Sequence, residues 1–185
     1  VSIDTVYRLA KAAEYKDEDT GAHIQRMSHF CAAIARDMGL SEKTVEAVLY
    51  ASSMHDIGKI GIPDRILLKP GTRGPDEWEI MKKHTVIGGR ILDDSSHGYL
   101  ELAKVIALTH HEKWDGSGYP KGLSGEDIPI AARLFSVVDV FDALTSDRPY
   151  RRAWTKPDTL RYIKEQSGRQ FDPHIVDVFI KMIGE

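Results

Sequence analysis

The sequence predicts an all-α fold, a single-domain helical bundle. Apolar residues recur at intervals of three and four along most of the chain, which is the spacing of one helix face. No segment shows the alternation typical of a strand, and capping residues flank most of the apolar segments. A length of 185 residues suits one domain with a substantial core.

The predicted helices share an apolar face and begin or end at a capping residue, proline or glycine. In chain order they cover residues 3–15, residues 22–38, the segment from Ser41 to Asp56, segments that begin at Pro75 and near His84, residues 99–109, and segments that begin at Pro129, Pro157 and Asp172-Pro173. Residues 57–74 and 112–128 contain many glycines and prolines and predict irregular loops.

Composition and charge exclude several classes of protein. The formal net charge is −3 with both signs spread along the chain, which argues against a protein that coats DNA or lies on a membrane. No apolar run approaches the roughly 20 residues that span a bilayer. The single cysteine, Cys31, lies in an apolar helical pattern and predicts a core thiol, so we expect a cytoplasmic protein. The chain begins with Val1, and we expect residues 1–185 to be one catalytic domain of a longer, sensor-linked protein.

The strongest functional signal is the His55-Asp56 pair at the end of a buried helix. An imidazole and a carboxylate are costly there unless something binds both, and a metal is the simplest partner. Further candidate ligands stand at helix ends or beside carboxylates. They are His23, His84, His110 and His111, with the acids Asp19 and Asp139. By contrast, His29, His97 and His174 lack such neighbours and are interpreted as ordinary surface or core histidines.

The adjacent pair His110-His111 bears on the number of metals. Neighbouring side chains on a helix point about 100° apart, so either the helix has ended at this pair or the two imidazoles serve different ions. Asp56 has two oxygens and can bridge two ions. We therefore predict two or three metals per chain rather than one. Taken alone, His110-His111 could equally be a capping or solvent-facing pair.

The ligand types narrow the metal, and nearby residues indicate the substrate. Imidazoles and carboxylates without thiolates suit Fe, Mn, Zn, Ni or Co. Metals that share a bridging ligand promote phosphodiester hydrolysis. A lysine at position 59 would be repelled by such ions unless an anion lay between, so Lys59 predicts a bound phosphate whose leaving oxygen it protonates. Trp114 and Tyr119 offer faces for base stacking, although loop packing would also explain them.

Four motifs give the sequence its resemblance to the HD-GYP family, a branch of the HD metal-dependent phosphohydrolases. The motifs are His55-Asp56-Ile57-Gly58-Lys59, His110-His111-Glu112 with Asp115-Gly116-Ser117-Gly118-Tyr119-Pro120, the block from Val137 to Thr145 with Arg148-Pro149-Tyr150, and Gln170-Phe171-Asp172-Pro173. Together they extend over nearly the whole chain, and their combination is highly specific.

The resemblance implies a metal-dependent phosphodiesterase that hydrolyses cyclic di-GMP to pGpG and on to GMP, through a hydroxide that bridges the metals. It implies a helical fold of the HD/HD-GYP type and divalent ions, iron first and manganese or another ion second. The implied ligands are His23, His55, Asp56, His84, His110, His111 and Asp139. Asp19 occupies the position of a glutamate that binds a third metal in some members. Lys59 and Asp56 match catalytic positions, and Tyr119, Arg148 and Arg151, with Lys59, match substrate contacts.

Two other hypotheses stay open at this point. The domain could instead be a catalytically weak regulatory module that binds metal and nucleotide and acts through a protein partner, such as a diguanylate cyclase or sensory domain. It could also be a di-iron oxygenase, since the HD fold hosts oxygenases, but Lys59 and the Gly118-Tyr119-Pro120 loop count against that hypothesis.

Overall fold

The computed structural model describes residues 3–14, 21–94, 98–147 and 152–184, and within these ranges the fold is helical. The α-helices are α1 Ile3–Glu14, α2 Gly21–Asp37, α3 Glu42–Ala51, α4 Asp64–Leu67, α5 Pro75–Lys82, α6 His84–Ile91, α7 Gly98–Thr109, α8 Ile130–Thr145, α9 Lys156–Glu165 and α10 Pro173–Gly184. The described ranges contain no strand, only isolated bridges at Asp115–Ser124 and Ser167–Phe171. The predicted all-α fold class is confirmed.

Helix α8 lies at the centre of the bundle. Its side chains are buried on most sides, as expected of a helix that is apolar almost all round. Helices α2, α7, α9 and α10 all contact it. Phe141 near its C-terminus packs edge-on against Phe30 of α2 and Phe179 of α10, with ring centroids 5.9 and 5.1 Å away. The bundle is thus assembled around α8, which is also the helix that carries Asp139.

Most predicted boundaries agree with the structure to within a few residues. Gly39 follows α2 with φ of +74°, the left-handed conformation that ends a helix, and the Ser41 hydroxyl accepts a hydrogen bond from the Thr44 amide at the start of α3. Cys31 is fully buried, and burial raises the pKa of its thiol to about 12. Among the described helices, none combines the length and apolar character that a bilayer span requires.

Two details differ from the prediction. Helix α3 ends at Ala51 and tightens into a 3₁₀ turn at Ser52–Met54, because the Ser52 hydroxyl bonds back to the Val48 carbonyl and competes with the helical pattern. The predicted loop over 57–74 contains a 3₁₀ segment, Ile57–Gly61, and the short helix α4. Ile66 and Leu67 of α4 bury themselves with Ile62 in a small second core, and this burial organises the segment despite its glycines and prolines.

Candidate metal centre

Four predicted ligands from three separate segments meet at one point. They are Asp56, His84, His110 and His111, and each offers one ligand atom within 4.8 Å of the others. Asp56 lies in the turn after Met54, His84 opens α6, and the adjacent histidines follow α7. Three sequence-distant segments therefore supply one cluster of side chains.

The turn at His110-His111 decides between the two interpretations of that pair. Helix α7 ends at Thr109, and the two rings lie close together, tilted by 43° with centroids 4.0 Å apart. Both belong to the same group of four. The geometry corresponds to the first alternative, in which the helix has ended, so adjacency alone gives no argument for more than one ion.

The histidine tautomers are set by backbone carbonyls. The Nδ1 atoms of His55, His84 and His110 lie 3.0 Å from Ser52 O, 2.7 Å from Met81 O and 3.0 Å from Ile106 O. A carbonyl only accepts, so Nδ1 carries the proton and donates it, and Nε2 of the neutral ring keeps the lone pair that binds metals. The local backbone thus orients these imidazoles as ligands.

These lone pairs converge on the Asp56 carboxylate. The Oδ1 atom lies 3.4 Å from His84 Nε2 and 3.5 Å from His110 Nε2, and these two nitrogens are 3.5 Å apart. All three atoms are acceptors, and Asp56 Oδ1 is shielded from solvent with no hydrogen-bond donor among the described residues. An orphaned carboxylate oxygen facing two imidazole lone pairs fits a divalent cation and is otherwise unfavourable.

Burial and nearby charges keep the ionisable groups of the cluster in the protonation states that bind a metal. Burial lowers the pKa of His84 to about 4, against the opposing effect of Asp56, and burial together with His110 lowers the pKa of His111 well below its ordinary value. Burial alone would raise the pKa of the Asp56 carboxyl, but the nearby Lys59 ammonium opposes it, and that pKa is held well below its usual range. Neutral imidazoles and an ionised carboxylate are what a metal requires.

Lys59 already has an anion beside it. Its Nζ atom lies 2.8 Å from Asp56 Oδ2, and His55 Nε2 lies 3.1 Å from the same oxygen. The Lys59 side chain is only 14% exposed, so it is directed into the site and is not a solvated lysine at a helix end. The anion inferred from the sequence at this position is therefore, at least in part, the Asp56 carboxylate itself.

Phe135 forms the apolar wall behind the histidines. This fully buried α8 residue packs against His55 with centroids 4.4 Å apart and against His110 at 5.8 Å. A rigid apolar wall restricts the rings to few rotamers and lowers the local dielectric, which strengthens electrostatic interactions in front of it.

The remaining predicted ligands lie outside the group of four or outside the described residues. Asp139 lies close enough to Tyr119 for its charge to contribute, after burial and Asp56, to raising the pKa of that phenol. His23, near the start of α2, is hydrogen-bonded through Nδ1 to Asp142 of α8. Asp19 falls outside the described residues, as do Arg148 and Arg151, so these three remain predictions. His29 and His174 are exposed, as expected, and His97 is not described.

Asp142 is a partner of the predicted ligand His23 that the sequence interpretation missed. Its carboxylate is 3% exposed, contacts His23, and accepts a hydrogen bond from Arg26 Nε at 3.0 Å. Burial raises the pKa of this carboxyl, but hydrogen bonds from His23 and Arg26 outweigh that effect and lower it. The available signal was its position three residues after Asp139, which places both acids on one face of α8.

Glu112 belongs to a motif noted in the sequence, but its role was not predicted: it holds the glycine-rich loop. Its two carboxylate oxygens accept hydrogen bonds from the Lys121 and Leu123 amides at 2.8 and 3.0 Å. At Gly118 an added Cβ would lie 2.5 Å from His111 O, so only glycine allows this close approach. The loop is thereby folded back so that the Tyr119 ring stacks on His111, with centroids 4.7 Å apart and planes at 26°.

HD-type domains are helical domains in which an adjacent His-Asp pair lies at a cluster of side chains that can bind a metal. The fold and the site described above define this class. The chain belongs to the HD domain family, whose model matches residues 8–175. Its resemblance to the HD-GYP branch is likewise confirmed by its relatives.

Three relatives illustrate the similarity. The chain is 49% identical over 96% of its length to a cyclic di-GMP phosphodiesterase response regulator of Xanthomonas campestris pv. campestris, of which it covers 47%. It is 49% identical over 94% of its length to a cyclic di-GMP phosphodiesterase of Thermotoga maritima, of which it covers 47%. It is 45% identical over 97% of its length to 3'3'-cGAMP-specific phosphodiesterase 2 of Vibrio cholerae, of which it covers 34%. The chain thus spans about half the length, or less, of these curated relatives.

Solved structures show the same fold. The crystal structure of a cyclic GMP-AMP-specific phosphodiesterase of V. cholerae matches with a TM-score of 0.74 at 19% identity, over 99% of this chain and 49% of that one. The HD domain of a Listeria monocytogenes phosphodiesterase in complex with cyclic-di-AMP matches with a TM-score of 0.64 at 20% identity, over 96% of this chain and 95% of that one. At such identities the likeness concerns the fold alone.

Proposed function

We propose that this domain is a metal-dependent phosphodiesterase of cyclic dinucleotides, which hydrolyses cyclic di-GMP to pGpG and on to GMP. The observation that carries the proposal is the convergence of Asp56, His84, His110 and His111 within 4.8 Å, with Lys59 Nζ 2.8 Å from Asp56. The names of the relatives, which are phosphodiesterases of cyclic di-GMP or 3'3'-cGAMP, support this substrate class.

The donor set fits a borderline divalent ion. Three imidazole nitrogens and one carboxylate suit iron, manganese, zinc, nickel or cobalt. Among these we propose iron first, because the resemblance to the HD-GYP family implies it. A divalent ion held there supplies Lewis acidity for a phosphate oxygen and lowers the pKa of water. We propose two or three metal ions per chain. The candidate ligands for the second and third ion are His23, His55, Asp139 and Asp19.

The chain's own residues would position and protonate the substrate. Lys59 Nζ holds its protons beside Asp56 Oδ2 and lies where a phosphate bound at the cluster would arrive. From there it can donate a proton to the departing 3′-oxygen. Tyr119, stacked on His111, borders the same site and helps to exclude water. Arg148 and Arg151 are proposed to contact the remaining phosphate.

Turnover of three dinucleotides tests the proposal. Protein loaded anaerobically with Fe(II) or Mn(II) is expected to hydrolyse cyclic di-GMP, and chromatography of the products would separate pGpG from GMP. Cyclic di-AMP and 3'3'-cGAMP assayed in parallel would establish base preference. A protein that binds metal and cyclic di-GMP fully but turns over none of the three would overturn the enzyme and favour the regulatory module. In that case, signalling in cells would survive an Asp56→Ala substitution.

Asp142 is expected to tune metal binding through His23. Asp142→Asn removes the charge that fixes the His23 tautomer, and loss of such an outer partner typically lowers metal affinity about 10–100-fold. Titration of the metal-free protein with Mn(II) would measure the change. The control is Asp158→Asn, a half-buried acid at the start of α9. Equal affinities for both variants would show that His23 is not a ligand or that Asp142 does not orient it.

A further inference from the structure

Trp78 is a large aromatic side chain that the core does not explain. It lies on α5, a helix without a single fully buried residue, and 44% of its surface is exposed. Helix α5 is nevertheless firmly anchored. The Glu77 carboxylate accepts hydrogen bonds from the Gly74 amide at 2.8 Å and from Lys69, and Ile80 and Met81 pack on the second core. A rigid helix thus presents Trp78 to solvent.

Trp78 continues a row of rings that starts at the metal-type cluster. The His111 ring stacks against Tyr119 with centroids 4.7 Å apart, and Tyr119 meets Trp78 edge to face at 6.2 Å and 80°. Because His111 belongs to the cluster, Trp78 lies two ring contacts away from the ligand atoms.

A lysine, Lys82, lies beside this row of aromatic rings. Lys82 follows Trp78 by one helical turn, so both side chains lie on the same face of α5. Its Nζ atom is 5.7 Å from the Tyr119 ring centroid and 2.6 Å from Glu79 Oε1. An aromatic face next to a lysine is the combination that binds a base together with the phosphate it carries.

We propose that Trp78 and Lys82 form the subsite for one guanine base of the cyclic dinucleotide whose phosphodiester lies at the cluster. The proposal rests on the proposed function, since it assigns a base to the same substrate. The exposed Trp78 ring supplies the stacking face, and Lys82 holds the ribose-phosphate side. A cyclic dinucleotide whose phosphodiester lies at the cluster has its bases beyond the ligand atoms, and ring contacts among the described residues connect the exposed Trp78 to the cluster.

The test compares Trp78→Ala with Trp154→Ala in the metal-loaded protein. Trp154 is a matched control, because it is 41% exposed and also packs edge-on against a tyrosine, Tyr162, at 5.8 Å. Stacking of one base contributes about 1–3 kcal/mol, so Trp78→Ala is expected to raise KM for cyclic di-GMP about 5- to 160-fold with little change in kcat. Trp78→Phe should recover most of this loss, and Trp154→Ala should match the wild type.

A direct binding measurement tests the subsite independently of the proposed hydrolysis. Equilibrium dialysis with a labelled phosphorothioate analogue of cyclic di-GMP, which resists hydrolysis, should show the same weakening for Trp78→Ala, with unchanged metal content. If the wild type binds the nucleotide without turnover, the proposed activity fails and dialysis alone decides the subsite. Equal affinities of Trp78→Ala and Trp154→Ala would overturn the subsite. A wild type that does not bind the nucleotide would overturn both proposals.

Discussion

Asp56→Asn is expected to abolish metal retention and hydrolysis while leaving the helical fold in place. The substitution preserves shape but removes the negative charge on which two imidazole lone pairs and the Lys59 ammonium converge. Loss of an outer partner of a metal ligand already weakens binding about 10–100-fold, so loss of the charged ligand should exceed about 100-fold. Elemental analysis of anaerobically purified protein and turnover of cyclic di-GMP would measure both effects.

Asp93→Asn is the matched control for this substitution. Asp93 also pairs with a lysine, Lys104, at 2.6 Å, but at the surface, where such a pair contributes at most about 1 kcal/mol. Its metal content and turnover should equal those of the wild type. Retention of full metal content by Asp56→Asn would contradict the assignment of the cluster as a metal centre.

Gly58→Ala is expected to destabilise the domain strongly and to disrupt the site at the same time. A Cβ at this position would lie 1.9 Å from His84 O and 2.4 Å from Gly88 N, both backbone atoms of α6. Overpacking against backbone forces the segments apart and should lower the free energy of unfolding by about 3 kcal/mol or more. For a domain of this size that corresponds to a fall in Tm of about 6–12 °C.

Gly98→Ala provides the comparison for Gly58. At Gly98, the first residue of α7, an added Cβ meets no atom within 4 Å, so the change in stability should stay within about 0.5 kcal/mol. Thermal unfolding followed by circular dichroism would compare both variants, and metal titration would report whether Gly58→Ala also displaces His84. A Tm of Gly58→Ala equal to that of Gly98→Ala would contradict the close crossing of the 57–61 segment and α6.

The helices were predictable because their signals are local. Apolar spacing and caps such as Ser41 and Gly39 depend on a few neighbouring residues, and the structure confirms them. The order within 57–74 was not predictable, because the burial of Ile62, Ile66 and Leu67 depends on α5 and α6, which lie later in the chain.

Within the candidate site, the types of residue could be predicted from the sequence, but the contacts between their side chains could not. The His55-Asp56 motif and the adjacent histidines indicated a metal from their chemistry alone. The structure adds that Lys59 pairs with Asp56, that Asp142 holds His23, and that Trp78 meets Tyr119. Each of these contacts except the first joins segments more than 40 residues apart, and no local pattern encodes such contacts.

The sequence by itself determined the helical class, the family and the set of residues able to bind a metal, because side-chain chemistry and helical periodicity are properties of short segments. Only the tertiary structure decided which of those residues converge, with Asp56, His84, His110 and His111 brought within 4.8 Å of one another. The physical reason is that convergence depends on close crossings such as Gly58 against α6, and on the wall that Phe135 of α8 places behind the histidines. These contacts exist only once the whole bundle has packed.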